Sequence, residues 1–316
     1  MTKLEKIITI LPILYIAVIC VYMLSHRMWF SPDQFFLFAL VGTFFIGRSR
    51  LFILDWGPFL SLFFGYEFLH GLVPLVTTHV NIWPMILADK WMFGFVPASQ
   101  LQIWLYSPTH LHWYDYVAVT LYISHFVTPM LVGFIFWLLN RQAFKEYALG
   151  LIILSYMSFL TYVAYPAMPP WMASQKGYIP PIQEVTSVVM SHFLPTKISV
   201  PTLYEFVRAN PVAAVPSLHA AIPFLIWLFL LRTFKKYGWL FLPYVLGVAF
   251  AVLYLGEHYF FDVLLGWGYA TLAFSFVVHK KFWFGWSEKY VAVIQQKFKS
   301  SLLKFAHAWI FTVDNG

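Results

Sequence analysis

The sequence predicts an all-α, polytopic membrane helix bundle of about six to eight transmembrane helices, with extracytoplasmic interfacial segments and a C-terminal amphipathic helix. Three observations predict it. Of the 316 residues, 61% are hydrophobic and only 10% are charged, too little polar side chain to cover a soluble domain of this length. The apolar residues collect into runs of spanning length or close to it. The basic residues then sort by side: followed through alternate crossings, all but five of the 20 Lys and Arg share a side with both termini. An excess of Lys and Arg marks the cytosolic face.

The runs fall at 7–23, 32–47, 57–75, 117–139, 148–165, 217–232, 240–256 and 260–279. The first follows Lys3 and Lys6 and lacks a small-x-small cleavage site, so it reads as a retained anchor. Cys20 packs inside it, and a single cysteine excludes an intrachain disulfide framework. The second and sixth runs are the shortest. Residues 76–116 are broken by Pro84, Gly94, Pro97 and Pro108. Trp83, Trp91, Trp104, Tyr106 and Trp113 suit an interfacial belt, which predicts a lid on the membrane surface. Residues 166–216 form a second outer segment, introduced by Tyr165-Pro-Ala-Met-Pro-Pro-Trp171, whose consecutive prolines impose an extended, rigid turn. Beyond the last run, Tyr290, Ile294, Phe298, Leu302, Phe305 and Trp309 recur at helical spacing between Lys289, Lys297 and Lys304, the pattern of a cytosolic interfacial helix. No repeat or linker divides the chain, so 1–316 is read as one domain, with a core at about 85–280 and a tail at 281–316.

The net charge of +7 raises nucleic acid as a partner. The basic residues lie between apolar runs and form no patch, which excludes it. Membrane lipids are the partners this composition implies.

Chemistry concentrates at Ala214-Val-Pro216-Ser217-Leu-His219 and Gly256-Glu-His258-Tyr-Phe-Phe-Asp262. Residues four apart share a helix face, so Asp262 is placed to hold one ring nitrogen of His258 and leave the other free. That pairing fixes a tautomer, as a nucleophilic or proton-transferring imidazole requires. Counted by crossings, His219 and His258 fall on the same extracytoplasmic face. An out–in–out hairpin through the Arg232–Lys236 loop returns them to one site. Ser217 reads as a helix cap, and the helix start behind it offers N–H groups to an anion. Pro223 deprives the carbonyl of residue 219 of its helical partner and predicts a bend. Glu67-Phe-Leu-His70 sets a carboxylate and an imidazole on one helix face, suited to a headgroup contact, a buried hydrogen bond or part of a metal site. His125 reads the same way. No metal and no cofactor is required.

Pro216-Ser-Leu-His219 resembles the second signature of the type 2 phosphatidic acid phosphatase superfamily, and His258-x-x-x-Asp262 the end of its third. Tyr165–Trp171 and His258-Tyr259 are similar to the inositol phosphorylceramide synthase branch, echoed weakly by Asp89-Lys-Trp-Met-Phe-Gly94 and Tyr122-Ile-Ser-His125. The resemblance covers roughly 85–275. It implies that His258 attacks phosphorus, that Asp262 steadies the ring, and that His219 protonates the leaving oxygen and then deprotonates the incoming alcohol or water. It also implies substrate contacts from Pro169, Trp171, Pro216, Ser217 and Tyr259. The basic signatures of the phosphatases are missing: position 252 is Val, and no Lys-x6-Arg-Pro occurs. Phosphate-binding cations must then come from Lys176, Lys197 or Arg208, on the same side as the histidines. Glu257, beside His258, is unusual on either reading: its charge repels an anion, or it holds a polyol or an acceptor hydroxyl. The first reading is therefore an intramembrane phosphotransferase that moves an inositol phosphate-like headgroup from a phospholipid to a lipid hydroxyl. Its host is a bacterial cytoplasmic or a Golgi-type membrane. A lipid phosphate phosphatase is the alternative. A transporter or a bis-histidine haem protein is the alternative of another class.

Overall fold

Proline and glycine decide where the helices begin and end. In the computed structural model, residues 32–44, 46–193 and 210–279 are described, together with positions 14, 15, 18 and 21. Helix α1 is Pro32–Phe44 and α2 is Ser49–Val76. Two short helices follow, α3 (Trp83–Phe93) and α4 (Pro97–Leu105). Each carries proline in its first turn, where the missing N–H costs nothing, and α3 stops at Gly94 with φ +79°. Then come α5 (Trp113–Leu139) and α6 (Arg141–Ala164). Asn140 joins them in a tight reversal: it ends α5, and its side chain accepts from Gln142 and Ala143 N–H at the start of α6. Two further short helices, α7 (Pro170–Gln175) and α8 (Val185–Phe193), lie in the next connection. The last three are α9 (Leu218–Phe234), α10 (Leu242–Tyr254) and α11 (Phe260–Val278). A 3-10 segment, Lys235–Phe241, separates α9 from α10.

Among the described residues, five helical stretches are long and apolar enough to cross a membrane: Ser49–Val76, Trp113–Leu139, Arg141–Ala164, Leu218–Tyr254 and Phe260–Val278. The fourth is a hairpin. A straight helix of its 37 residues would run about 55 Å, yet His219 at its start touches His258 just past its end. The reversal falls at Lys235, as the basic Arg232–Lys236 loop predicts, so the sixth and seventh apolar runs are separate, short helices. The second run is a helix of only 13 residues. Cys20, most of the first run and the predicted C-terminal helix lie outside the described residues.

The core gathers at two ends. Between α1, α2, α5 and α6, aromatic rings interlock: Trp56 stacks on Phe144 at 4.9 Å and on Phe52 at 5.2 Å, and Phe35 meets Phe134 edge-on at 6.2 Å. Such packing matters in a bilayer, where lipid removes the hydrophobic drive between helices. At the same end Asp55 accepts from Trp137 Nε1 and Arg141, and Arg232 pairs with Glu146 at 3.4 Å. At the opposite end α3, α4 and α7 close over the bundle. The predicted lid is thus a packed cover: Met85, Ile86 and Ala98 are buried, while Trp91, Trp104 and Trp113 are exposed at its rim. The chain divides into two compact units, Met1–Phe274 and Ser275–Gly316. Of the second, the described part is the end of α11 through His279.

Candidate active site

Extended backbone assembles the site before any side chain does. Pro166–Met168 runs between two strips of chain: Asn81 N–H donates to Pro166 and receives Met168 N–H on its own carbonyl. Ala167 N–H donates to Val212, and Ala214 N–H to Ala167. The rigid turn predicted from the prolines therefore has a definite use, which is to hold Ala214 in place. Pro169 continues it in extended conformation into α7, and Trp171 N–H donates to the Gly256 carbonyl at 3.0 Å.

The Pro-Ser corner is clamped from three sides. Tyr162 Oη donates to the Pro216 carbonyl at 2.7 Å, and Ser217 N–H to the Asp262 carbonyl at 3.0 Å. Ser217 Oγ caps α9 by accepting from Ala220 N–H at 3.3 Å, as read from the sequence. Helix α11 comes within backbone contact of this corner, because a Cβ on Gly266 would lie 2.5 Å from the Ser217 carbonyl oxygen.

The second motif turns on Gly256, whose φ of +78° and lack of Cβ are both required: a Cβ there would sit 2.5 Å from Ile182 Cγ2. Gln102 Nε2 ties the turn down by donating to the carbonyls of Tyr254 and Gln183. Asp89 in α3 then starts α11 from outside, its two carboxyl oxygens accepting from Phe261 N–H at 2.9 Å and Phe260 N–H at 3.1 Å. Burial pushes the Asp89 carboxyl up to about 7 against the pull of these two N–H groups, with Asp262 adding to the rise.

These supports bring the two predicted histidines together. His219 Nδ1 lies 3.0 Å from His258 Nε2. His258 Nδ1 lies 3.0 Å from the Ala214 carbonyl and 3.5 Å from Asp262 Oδ2. A carbonyl only accepts, so Nδ1 carries the proton, and the lone pair of neutral His258 is on Nε2. Ala214 is thus the nearer partner of Nδ1 and shares with Asp262 the role the spacing gave to Asp262 alone. Asp262 is fully buried, its Oδ2 accepting from Tyr259 N–H at 2.8 Å and its Oδ1 without a hydrogen-bond partner among the described residues. The two imidazoles meet directly. Their 3.0 Å separation is shorter than the roughly 4 Å that two axial nitrogens on one metal ion need at about 2.0 Å each.

His219 forms the wall of a cavity of about 310 Å³. Its ring stacks on Tyr122 at 4.6 Å and meets His125 at 4.1 Å, and His125 Nδ1 donates to the Tyr122 carbonyl at 2.7 Å. Glu67, His70, Tyr162, Ser155 and Asn210 line the same cavity among apolar and aromatic residues. Asn210 Oδ1 accepts from Val212 N–H, and its Nδ2 is buried without a partner among the described residues. No Lys or Arg is among the described residues that line it.

The other sequence-predicted contacts lie around this centre, not in the cavity wall. Pro216 and Ser217 are buried in the corner, and Tyr259 is fully buried with a hydroxyl that has no partner among the described residues. Glu257 Oε1 accepts from Thr186 Oγ1 at 3.1 Å, and burial pushes its carboxyl up, opposed by His258. Lys176 is exposed at the end of α7. Lys197 and Arg208 lie outside the described residues. Tyr162 and Asn210 were not singled out by sequence, and Ala214 was named only as the start of its motif, with no role for its carbonyl. Asp89 was, as part of a motif, but nothing local showed that it starts a helix 171 positions away.

The comparisons with known proteins decide the family. The model of the PAP2 superfamily matches residues 84–276. This chain belongs to the PAP2 superfamily. The match takes in both histidine motifs, Asp89 and the Tyr165–Trp171 segment. Among curated PAP2 relatives, it is 30% identical over 176 residues to the phosphoinositol dihydroceramide synthase of Bacteroides thetaiotaomicron, covering 52% of this chain and 56% of that one. It is 27% identical over 204 residues to the inositol phosphorylceramide synthase catalytic subunit aur1 of Schizosaccharomyces pombe, covering 62% and 47%. Against the inositol phosphorylceramide synthase of Candida albicans the figures are 24% over 162 residues, 50% and 34%. The chain spans about half the length of the first two of these relatives. No solved structure matches.

Proposed function

We propose that this chain is an integral-membrane lipid phosphotransferase. It moves a phosphorylated polyol headgroup, inositol phosphate-like, from a phospholipid to the hydroxyl of a second lipid through a phosphohistidine at His258. The observation that carries the reading is the contact between His219 Nδ1 and His258 Nε2 at 3.0 Å, with His258 Nδ1 held by the Ala214 carbonyl. It is supported by membership of the superfamily and by relatives named as inositol phosphorylceramide synthases.

The chemistry follows from the tautomer. A phosphoryl group entering beside His219 exchanges the contact between the rings for hydrogen bonds to its oxygens. His258 Nε2 attacks phosphorus, the bond to the diacylglycerol oxygen breaks, and His219 gives that oxygen its proton. The positive charge on His258 is met by Asp262 and by the Ala214 carbonyl. In the second half His219 takes the proton of the acceptor hydroxyl, the new oxygen–phosphorus bond forms, and the nitrogen–phosphorus bond breaks. Asn210 Nδ2, without a partner among the described residues, suits a phosphoryl oxygen. A wall without Lys or Arg among the described residues favours a singly charged diester over a doubly charged terminal phosphate, and so favours transfer over hydrolysis of a lipid phosphate. The site faces away from the cytosol. Arg232 is 13 residues beyond His219 along α9, about 20 Å, and lies with the other basic residues at the opposite end.

The test is headgroup transfer by the purified full chain, in detergent, from a phosphatidylinositol to a ceramide-like acceptor. Transferred headgroup supports the reading. Release of inorganic phosphate from a lipid phosphate without any acceptor overturns it in favour of a phosphatase.

A further inference from the structure

Two polar side chains in the cavity have no task in the chemistry above. Glu67 and His70 sit on α2, outside the segment that matches the family model, yet both open into the cavity that His219 closes. Among the described residues, nothing hydrogen-bonds or ion-pairs with the Glu67 carboxylate, and no Lys or Arg lines the same wall. His70 Nε2 is buried and also unpartnered. Its ring stacks on Tyr66 at 5.5 Å and faces Tyr162 at 5.2 Å, whose hydroxyl holds the Pro216 carbonyl of the catalytic corner. A carboxylate and an imidazole left unpaired in an apolar pocket carry a desolvation cost that only a polar occupant relieves. The occupant must donate to the carboxylate. An alcohol does so without bringing charge, whereas a phosphoryl anion is repelled.

We infer that Glu67, with His70 beside it, is the hydroxyl-binding part of the substrate cavity, which His219 and Asn210 also line. Glu67 accepts a hydrogen bond from a substrate O–H, and His70 completes the contact to the same oxygen or its neighbour. The hydroxyl belongs either to the polyol of the donor headgroup or to the lipid acceptor. The inference deepens the transferase reading and rests on it for the identity of these two sources, but binding tests it without turnover.

The experiment is thermal unfolding of the full chain in detergent, titrated separately with myo-inositol and with a long-chain 1,2-diol, for wild type, Glu67→Gln and His70→Phe. Glu67→Gln keeps the shape and stays neutral, so it folds where a smaller residue leaves a hole. At least one probe should raise the wild-type midpoint in a saturable way, and its apparent Kd should rise at least tenfold in Glu67→Gln. Stabilisation by myo-inositol assigns the hydroxyl to the headgroup, and stabilisation by the diol assigns it to the acceptor. In turnover assays the same variant should raise KM for that substrate alone, with kcat nearly unchanged. Equal affinity of wild type and Glu67→Gln for both probes overturns the inference, and so does the failure of both to bind wild type. If the probes bind through Glu67 but no headgroup is transferred, the cavity assignment stands and the transferase reading falls.

Discussion

A histidine is a useful nucleophile only when its tautomer is settled, and at His258 the backbone settles it. The Ala214 carbonyl takes the Nδ1 proton at 3.0 Å, and Asp262 stands behind at 3.5 Å. In the proposed chemistry Asp262 acts mainly on charge, steadying the imidazolium-like state once phosphorus is bound, because the carbonyl already orients the ring. Asp262→Asn should lower kcat by about 10²-fold or more while leaving the protein inserted and the donor KM little changed, measured by headgroup transfer in detergent. His219→Ala should cost about 10²–10⁴-fold, the usual worth of a positioned general acid and base. A leaving group that needs no proton should restore part of the first half-reaction. His219, His258 and Asp262 could be picked out in the sequence by type and spacing, and the structure brings the three together. The role of Ala214 could not, since any residue supplies a carbonyl and only the fold selects which one.

Helix ends do the positioning at the next scale. Helix α11 starts under Asp89, and a fully buried carboxyl whose folded value is about 7 against an ordinary 3.8 makes that start sensitive to pH. The folded protein holds this proton more tightly than the unfolded chain does. Its contribution to stability is therefore complete below pH 3.8 and is lost as pH rises through about 7. Between pH 5 and 8 the wild-type unfolding midpoint should fall, and Asp89→Asn should flatten that dependence. Two glycines fix how the elements approach. Gly256→Ala meets both a left-handed backbone and Ile182 at 2.5 Å, and Gly266→Ala meets the Ser217 carbonyl at 2.5 Å. Each should lower transfer at least tenfold, with Gly256→Ala also lowering the unfolding midpoint, because the backbone itself has to move. The helices were readable as apolar runs, with boundaries within a few residues for α5, α9, α10 and α11, since burial in lipid imprints length and hydropathy directly on the chain. The bridging of Asn81, Ala167 and Val212 was not readable. Three extended strips from distant parts of the chain leave no periodicity, and the prolines of 165–171 announce stiffness without naming what it supports.

For the molecule as a whole, the basic end and the histidine end lie on opposite sides of one bundle, joined by the α9–α10 hairpin. The sequence foretold that separation from charge alone, and the contact of His219 with His258 supplies the fold-back it required. Cysteine labelling in sealed vesicles should find Lys176→Cys, at the exposed end of α7, accessible from the extracytoplasmic side, and Lys236→Cys only from the cytosol. The reverse pattern would invert the proposed orientation. What composition left hidden was the interior. Glu67 and His70, His125, and Asn210 come from three separated stretches, and only packing makes them walls of one cavity. The central claim, that His258 carries the phosphoryl group, is tested most directly by quenching the full-length enzyme during turnover of a donor labelled in its phosphate. The account predicts acid-labile, base-stable label on the wild-type protein, mapped to His258 and missing from His258→Ala, which should not turn over. Full transfer by His258→Ala would contradict it.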